Sequence, residues 1–354
     1  MVNLREDELQ RIAERLGRDP SVVELHAFDA AWSEHCSYKT SRQFLQQLPT
    51  SGARVLLGPG EDAGILHLGT HHGERYAVVV AHESHNHPSQ VVPFEGAATG
   101  IGGIVRDVLC MGAEVIGVAD ALRFGCSDYH VARGVVDGVG AYGNAIGVPN
   151  LAGDVYFDGG FDENALVNVV ALGIVKESDV IHSYVPKGGE GWEIVLVGKA
   201  TDPSGFGGAS FSSLTLDARD AETNKGAVQV PDPFLKNVLM RASYRVFARL
   251  RERKIAAAFK DLGAGGIMGC SAEITGNGGY GACIELDRVN VAVDGMAPEV
   301  VAVGETQERL LWVVPPDFVP ELLRIYNEEF SLPDVAYNAR AVVIGRVTDD
   351  RRYV

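Results

Sequence analysis

Cysteine is scarce in this chain. Its five cysteines among 354 residues, Cys36, Cys110, Cys126, Cys270 and Cys283, form no CxxC pair, which excludes a zinc ribbon and a thioredoxin-like dithiol. Low cysteine content, with no N-terminal apolar signal-type stretch, points to a reduced, cytoplasmic setting. Positive charge is also in deficit: 31 Lys and Arg stand against 47 Asp and Glu, a net charge of −16. Neither nucleic acid nor an anionic membrane would attract such a chain, so neither is expected as a partner. No run reaches the roughly 18 apolar residues of a membrane span; the longest candidate, Leu166 to Val175, is short and interrupted by Asn168. At 46 % hydrophobic and 22 % charged residues the composition is globular. At about 100–200 residues per domain the length suggests two domains. A phosphate-bearing ligand would have to be drawn locally, by backbone N–H groups, a few basic side chains or a metal ion.

Glycine, by contrast, is abundant, with 42 residues gathered in clusters at Gly96–Gly103, Gly205–Gly208 and Gly263–Gly281. Each cluster follows a probable strand, which suggests backbone that must approach a ligand closely. Apolar spacing predicts two N-terminal helices, the first carrying Leu4, Leu9, Ile12 and Leu16 and ended by Gly17, the second carrying Leu25, Phe28 and Trp32. Strands are expected at 76–81, 115–119, 167–175, 192–197, 255–260, 310–314 and 341–347. Helices are expected at 99–111, 129–146, 233–251 and 316–330. The polar stretch Pro186-Lys-Gly-Gly-Glu-Gly191 reads as a linker. This alternation indicates an α/β or α+β protein with a boundary near residue 185.

The densest chemistry lies in Ala81-His-Glu-Ser-His-Asn-His-Pro-Ser89. Three imidazoles and the carboxylate of Glu83 fall at a strand end, where Pro88 should stop the strand. His85 and His87 would alternate onto one strand face and could suit zinc. A hard cation held by carboxylates, with a histidine moving protons, fits Glu83 and the other acids better. In the next segment, Ile101, Ile104, Val105, Val108 and Leu109 make a core-facing stripe, with Gly103, Arg106 and Asp107 on the other side. The N-terminus of that helix, beginning among the glycines, is a ready phosphate site. Further on, Asp261 sits at a strand end before Gly263-Ala-Gly-Gly266. Val228-Gln-Val-Pro-Asp-Pro233 opens a helix, and Gly304-Glu-Thr-Gln-Glu-Arg309 precedes a strand. Asp154, Asp158 and Asp162, with Gly159-Gly160, read as an exposed turn, for they lack the order of an EF-hand.

Taken in order, Trp32-Ser-Glu-His-Cys-Ser-Tyr-Lys39, Glu83-Ser-His-Asn-His-Pro-Ser89, Gly96-Ala-Ala-Thr-Gly100 with Arg106-Asp107, Ala209-Ser-Phe211, Val228-Gln-Val230 with Asp232-Pro233, Asp261-Leu-Gly-Ala-Gly-Gly266 and Glu305-Thr-Gln-Glu-Arg309 resemble the synthetase subunits of phosphoribosylformylglycinamidine synthase. The resemblance covers essentially the whole chain. It implies an aminoimidazole-ribonucleotide-synthetase-like fold: an N-terminal helical segment (1–52), a mixed-sheet domain (53–185) and an α/β domain (186–354). It also implies an ATP-dependent C–N ligase of purine biosynthesis, joining ammonia to formylglycinamide ribonucleotide with magnesium as the metal.

Site roles follow from the same resemblance. His35 matches a catalytic histidine and Tyr38 an ATP contact. Glu83 matches a magnesium ligand, and Asp107 and Asp261 match ligands of a second magnesium. Ser84, His85, Asn86 and His87 match substrate contacts, with His85 the proton acceptor; Arg106, Gln229, Glu305, Thr306 and Gln307 complete the substrate pocket. The chain departs from the family at Ala81, where a nucleotide-touching lysine is usual. Family enzymes carry a second copy of the two-domain unit, so this chain reads as a first half, completed by that copy or by a homodimer. No glutaminase nucleophile is evident among the cysteines, so a glutaminase subunit, with a small bridging subunit, is the expected ammonia source. Two alternatives remain: another ATP-dependent member of the superfamily, of the aminoimidazole ribonucleotide synthetase kind, and a non-catalytic half acting as a scaffold.

Overall fold

A computed structural model describes residues 2–127, 129–213 and 225–354. Two sheets organise them. The first has the order β1-β2-β3-β6-β4-β5, built from β1 (Val55–Leu57), β2 (Gly64–His71), β3 (Glu74–Ser84), β4 (Glu114–Phe124), β5 (Asn150–Phe157) and β6 (Leu166–Lys176). All neighbours are antiparallel except β4 and β5. Along β6 buried and half-buried residues alternate strictly, the mark of a sheet with one packed face. Helices Pro93–Cys110 and Tyr129–Ile146 belong to the same core as that face. The predicted stripe Ile101, Ile104, Val105, Val108 and Leu109 is fully buried there.

The second sheet has the order β8-β10-β7-β11-β9 and is antiparallel throughout. Its strands are β7 (Glu193–Gly198), β8 (Ala258–Asp261), β9 (Gly281–Ile284), β10 (Arg309–Val314) and β11 (Arg340–Thr348). Both faces are covered, which is why Ile194-Val-Leu-Val197 and Leu310-Leu-Trp-Val-Val314 are continuous apolar runs. Val195, Val197, Leu310 and Trp312 join the core of the first sheet, whereas Ile194, Leu196, Leu311 and Val313 join a separate one with Ile267 and Ile274. Helix Pro233–Arg253 packs on Tyr129–Ile146, binding the two sheets into one body. Asp261 pairs with Leu310 in register, which brings the end of β8 beside the turn that leads into β10.

The N-terminal helices form as expected. Glu6–Leu16 ends at Gly17, whose φ of 68° suits glycine. Val22–Ala31 starts with a Ser21/Glu24 capping box and packs on helix Pro298–Val303. Asp29 accepts from Asn3 N–H at 2.7 Å and from Ser210 Oγ at 2.6 Å, fastening this segment beside Glu34–Ser37.

Three expectations change. β3 runs on through His82, Glu83 and Ser84, and Asn86–Val91 is already helical, so His85 and His87 do not share a strand face. Helix Pro93–Cys110 begins before the glycines, and Gly96 N–H donates to Val92 O at 2.8 Å. Gly96–Gly103 therefore lie inside the helix and are not a free phosphate-binding N-terminus; they serve close packing. A Cβ on Gly102 would stand 2.6 Å from the Tyr142 hydroxyl. Asp154 belongs to β5 and pairs with Arg123, while Asp158 and Asp162 do form the turn, accepting from Gly160 and Cys126 N–H.

Candidate functional site

The end of β3, the two helices that follow it, the end of β8 and the turn before β10 enclose a cleft of about 420 Å³. His35, Glu83, Ser84, His85, Asn86, His87, Arg106, Asp107, Gln229, Asp261, Glu305 and Gln307 all line it. Tyr38 and Thr306 do not. Tyr38 caps Glu34–Ser37 at a left-handed φ of 50° and is half exposed. Burial and then the charge of Glu83 push its hydroxyl pKa up. Thr306 is fully buried and turned to Asp202, whose N–H donates to it at 3.0 Å.

His85 is held in one tautomer. Its Nδ1 lies 2.5 Å from Gly96 O; a carbonyl only accepts, so Nδ1 carries the proton and Nε2 keeps its lone pair. Burial lowers the pKa of the ring to about 4, which leaves it neutral near pH 7 with Nε2 as an acceptor. Asn86 turns the chain by accepting the Val167 N–H at 2.7 Å. His87 makes an edge contact with Phe211, ring centroids 5.8 Å apart.

Opposite stands Arg106, 3 % exposed, hydrogen-bonded through its guanidinium to Gln307 and, at 3.3 Å, to Asp261. The pKa of Asp107 is driven well above the carboxylate range by burial first and then by Asp261, Glu83 and Asp62. That of Glu83 is raised by burial, against the pull of His35. Glu305 is captured from two glycine-rich loops, accepting Ala209 N–H at 2.9 Å and Gly265 N–H at 3.2 Å on one oxygen and Gln229 Nε2 at 3.2 Å on the other. At these two loops the close backbone approach expected for a ligand is thus made to the protein's own carboxylate.

Sequence reasoning missed four charged residues of the lining: Glu61, Asp62, Lys260 and Glu273. Lys260 Nζ lies 2.5 Å from Asp62 and 3.4 Å from Glu273. Burial pushes the Asp62 pKa up to about 7, and its Oδ2 has no hydrogen-bond partner. The signal available was the paired acids in Gly58-Pro-Gly-Glu-Asp-Ala63, directly ahead of β2. Ala81, at the position of the family lysine, is buried in the first core; Arg106 and Lys260 are the Lys or Arg side chains of the lining among the described residues.

Among the described residues no three His, Cys, Asp or Glu side chains converge closely enough to hold a metal ion. In donor chemistry Glu83, Asp107 and Asp261 nevertheless fit a hard divalent cation: all offer oxygen, and the carboxyl pKa values of Glu83 and Asp107 are raised first by burial and then by neighbouring acids, both of which a bound cation would offset.

Residues 1–39 match the family model of the formylglycinamide ribonucleotide amidotransferase linker domain. Residues 60–175 and 189–354 match the N-terminal and C-terminal domains of AIR synthase related proteins. The chain is 52 % identical over 364 residues to the phosphoribosylformylglycinamidine synthase subunit PurL of Methanothrix thermoacetophila, an alignment covering 100 % of this chain and 47 % of that protein. It superposes on Thermotoga maritima PurL complexed with FGAR with a TM-score of 0.81 at 34 % identity, covering 98 % of this chain and 52 % of the other. For the same protein complexed with ATP the TM-score is 0.78 at 31 % identity, covering 98 % and 51 %. The chain spans about half the length of these relatives. The two-domain architecture expected from the motifs is the one observed, and the chain belongs to the AIR-synthase-related family, as a relative of the phosphoribosylformylglycinamidine synthase PurL subunits.

Proposed function

We infer that the cleft is an amination site, converting formylglycinamide ribonucleotide, ATP and ammonia to formylglycinamidine ribonucleotide, ADP and phosphate. The observation that carries this reading is the neutral imidazole of His85, its Nε2 free to accept a proton, in one cleft with Glu83, Arg106, Asp107 and Asp261. The glycinamide carbonyl oxygen, on the ribose side of the substrate, takes the γ-phosphoryl group of ATP with release of ADP, which turns an unreactive amide carbon into an imidate with a phosphate leaving group. Ammonia adds to that carbon, His85 Nε2 accepts a proton from the incoming nitrogen, and phosphate departs with the former amide oxygen. Arg106, fixed by Gln307 and Asp261, is placed to hold the substrate, with Ser84, Asn86, His87, Gln229, Glu305 and the Thr306 turn as further contacts. His35 is taken as a further catalytic histidine and Tyr38 as an ATP contact. Magnesium, held by Glu83, Asp107 and Asp261, would screen the phosphates and stabilise charge developing in the transfer.

The three units are taken as 1–52, 53–185 and 186–354. Leu66, Val78 and Ile174 stand in one row across the first sheet, on the face away from its helices, with Leu66 exposed and the other two half-buried. That apolar face suits a second AIR-synthase-like unit, from a second half or a second copy. Ammonia would come from a glutaminase subunit docked with a small bridging subunit. No helix among the described residues is long and apolar enough to cross a membrane, in keeping with a cytoplasmic enzyme. The test is turnover of formylglycinamide ribonucleotide by the chain with ATP, magnesium and ammonium, alone and with the other half of a PurL-type protein supplied. His85→Ala should lower kcat about 10²–10⁴-fold. Conversion of formylglycinamidine ribonucleotide to aminoimidazole ribonucleotide by the wild type would favour the sister enzyme, and unchanged activity of His85→Ala would favour a scaffold.

A further inference from the structure

Glu308 lies outside the cleft lining, yet both its backbone and its carboxylate are bound. Its side chain is fully buried and its backbone has a φ of 60°, a left-handed conformation that a glutamate keeps only when its surroundings enforce it. The enforcement is visible on both sides of the residue. Its carbonyl accepts the Lys199 N–H at 3.0 Å. Its carboxylate accepts the Tyr142 hydroxyl at 2.8 and 2.9 Å and the Asp232 N–H at 3.1 Å. It also lies 3.9 Å from Lys236 Nζ, which donates to Gly102 O at 3.0 Å. One carboxylate thus gathers helix Pro93–Cys110 through Lys236, helix Tyr129–Ile146 through Tyr142, and the start of helix Pro233–Arg253.

The residue before it, Gln307, faces the cleft and accepts from Arg106, whose Nε reaches Asp261. A left-handed residue reverses the local course of the chain, so locking Glu308 also fixes where Gln307 points. Arg106 feels the negative charge of both Asp261 and Glu308, while Lys236 balances the second acid. Two acids and two bases therefore share the buried wall behind the cleft.

We propose that Glu308 is a positioning residue: it locks the turn that presents Gln307 to Arg106 and so holds the Arg106–Gln307–Asp261 chain ready for the substrate. The substrate consequence rests on the reading of the cleft as the amination site. Gly102 belongs to the same device from the other side, because a Cβ there would stand 2.6 Å from the Tyr142 hydroxyl and push it off Glu308.

Tyr142→Phe removes a single hydroxyl and is the gentlest probe; Glu308→Gln combined with Lys236→Met removes the charge in balance. In the complemented enzyme each should raise KM for formylglycinamide ribonucleotide about five- to twentyfold, less than the full loss of one hydrogen bond to a charged group because Arg106 is displaced and not removed. kcat and the KM for ATP should stay within about twofold of wild type. Adding Tyr142→Phe to the double variant should cause little further loss, because both act through one carboxylate. A lowered melting temperature with an unchanged substrate KM would reduce Glu308 to a structural role and overturn the proposal, as would an equal rise in the KM for ATP. Crystal structures of the variants give a readout independent of the reaction: the Arg106–Gln307 bond should be lost or displaced. If the wild type turns over no formylglycinamide ribonucleotide, the reaction reading falls. The crystal comparison still decides the positioning claim, and an intact Arg106–Gln307 bond in both variants overturns it.

Discussion

Glu305→Ala should destabilise the fold severely, whereas Glu305→Gln should be nearly tolerated. The carboxylate accepts three hydrogen bonds, two from the backbone of different glycine-rich loops and one from Gln229. Truncation to alanine strands the N–H groups of Ala209 and Gly265 and the Gln229 amide in a buried site. At about 1–3 kcal/mol for each stranded group, with partial relaxation, the loss should be about 3–5 kcal/mol. Both backbone N–H groups converge on the same oxygen, Oε1, so a glutamine can still accept both with its one carbonyl. Its NH₂ would then face Gln229, whose Oε1 has no partner and can accept once that amide flips. The expected cost of Glu305→Gln is therefore about 1 kcal/mol. Urea unfolding followed by tryptophan fluorescence measures both values. Equal losses for the two variants, or a loss below about 1 kcal/mol for alanine, would refute this account of how the loops are held.

Gly100→Ala should disturb the candidate base, since its Cβ would lie 3.1 Å from His85 Cβ; lower turnover with a modest loss of stability is expected from paired kinetic and melting measurements. Lys236 has a pKa lowered to about 8 from 10.5, chiefly by burial, so the unfolded chain binds more protons between those values. Stability should accordingly rise as pH goes from 8 towards 10.5, and Lys236→Met should abolish that rise in urea titrations; parallel slopes would contradict it. Glu24, its pKa lowered to about 2 by Arg18 and by the Ser21 cap, contributes stability that is present above 4.5 and lost as pH falls towards 2. Glu24→Gln should flatten that part of the acid limb in pH-dependent melting.

Features carried by local spacing were legible in the sequence. The stripe from Ile101 to Leu109, the continuous runs of β7 and β10 and the stop at Gly17 each depend on neighbours a few residues away. β5 carries no such signal because it is an exposed edge strand, with no packed face to impose alternation, so its Asp154 reads as part of a turn. β3 was cut short at Ala81 because its last residues are polar. Two of them, Glu83 and Ser84, line the cleft, and a cleft is visible only once β8 and β10 are in place. The partners that organise the site come from far along the chain: Asp62 meets Lys260, and Tyr142 meets Glu308. Each member alone looks like an ordinary charged or aromatic residue. The glycines misled for a related reason, since a close approach to a ligand and a close approach to Tyr142 or Glu305 ask the same of the sequence.

On the proposed mechanism the glycinamide oxygen of the substrate is phosphorylated in this cleft before ammonia displaces it. Formylglycinamide ribonucleotide carrying ¹⁸O in that amide, turned over by the complemented enzyme, tests it directly. One ¹⁸O atom is expected in the inorganic phosphate released per turnover. Unlabelled phosphate, with the label lost to water, would contradict it.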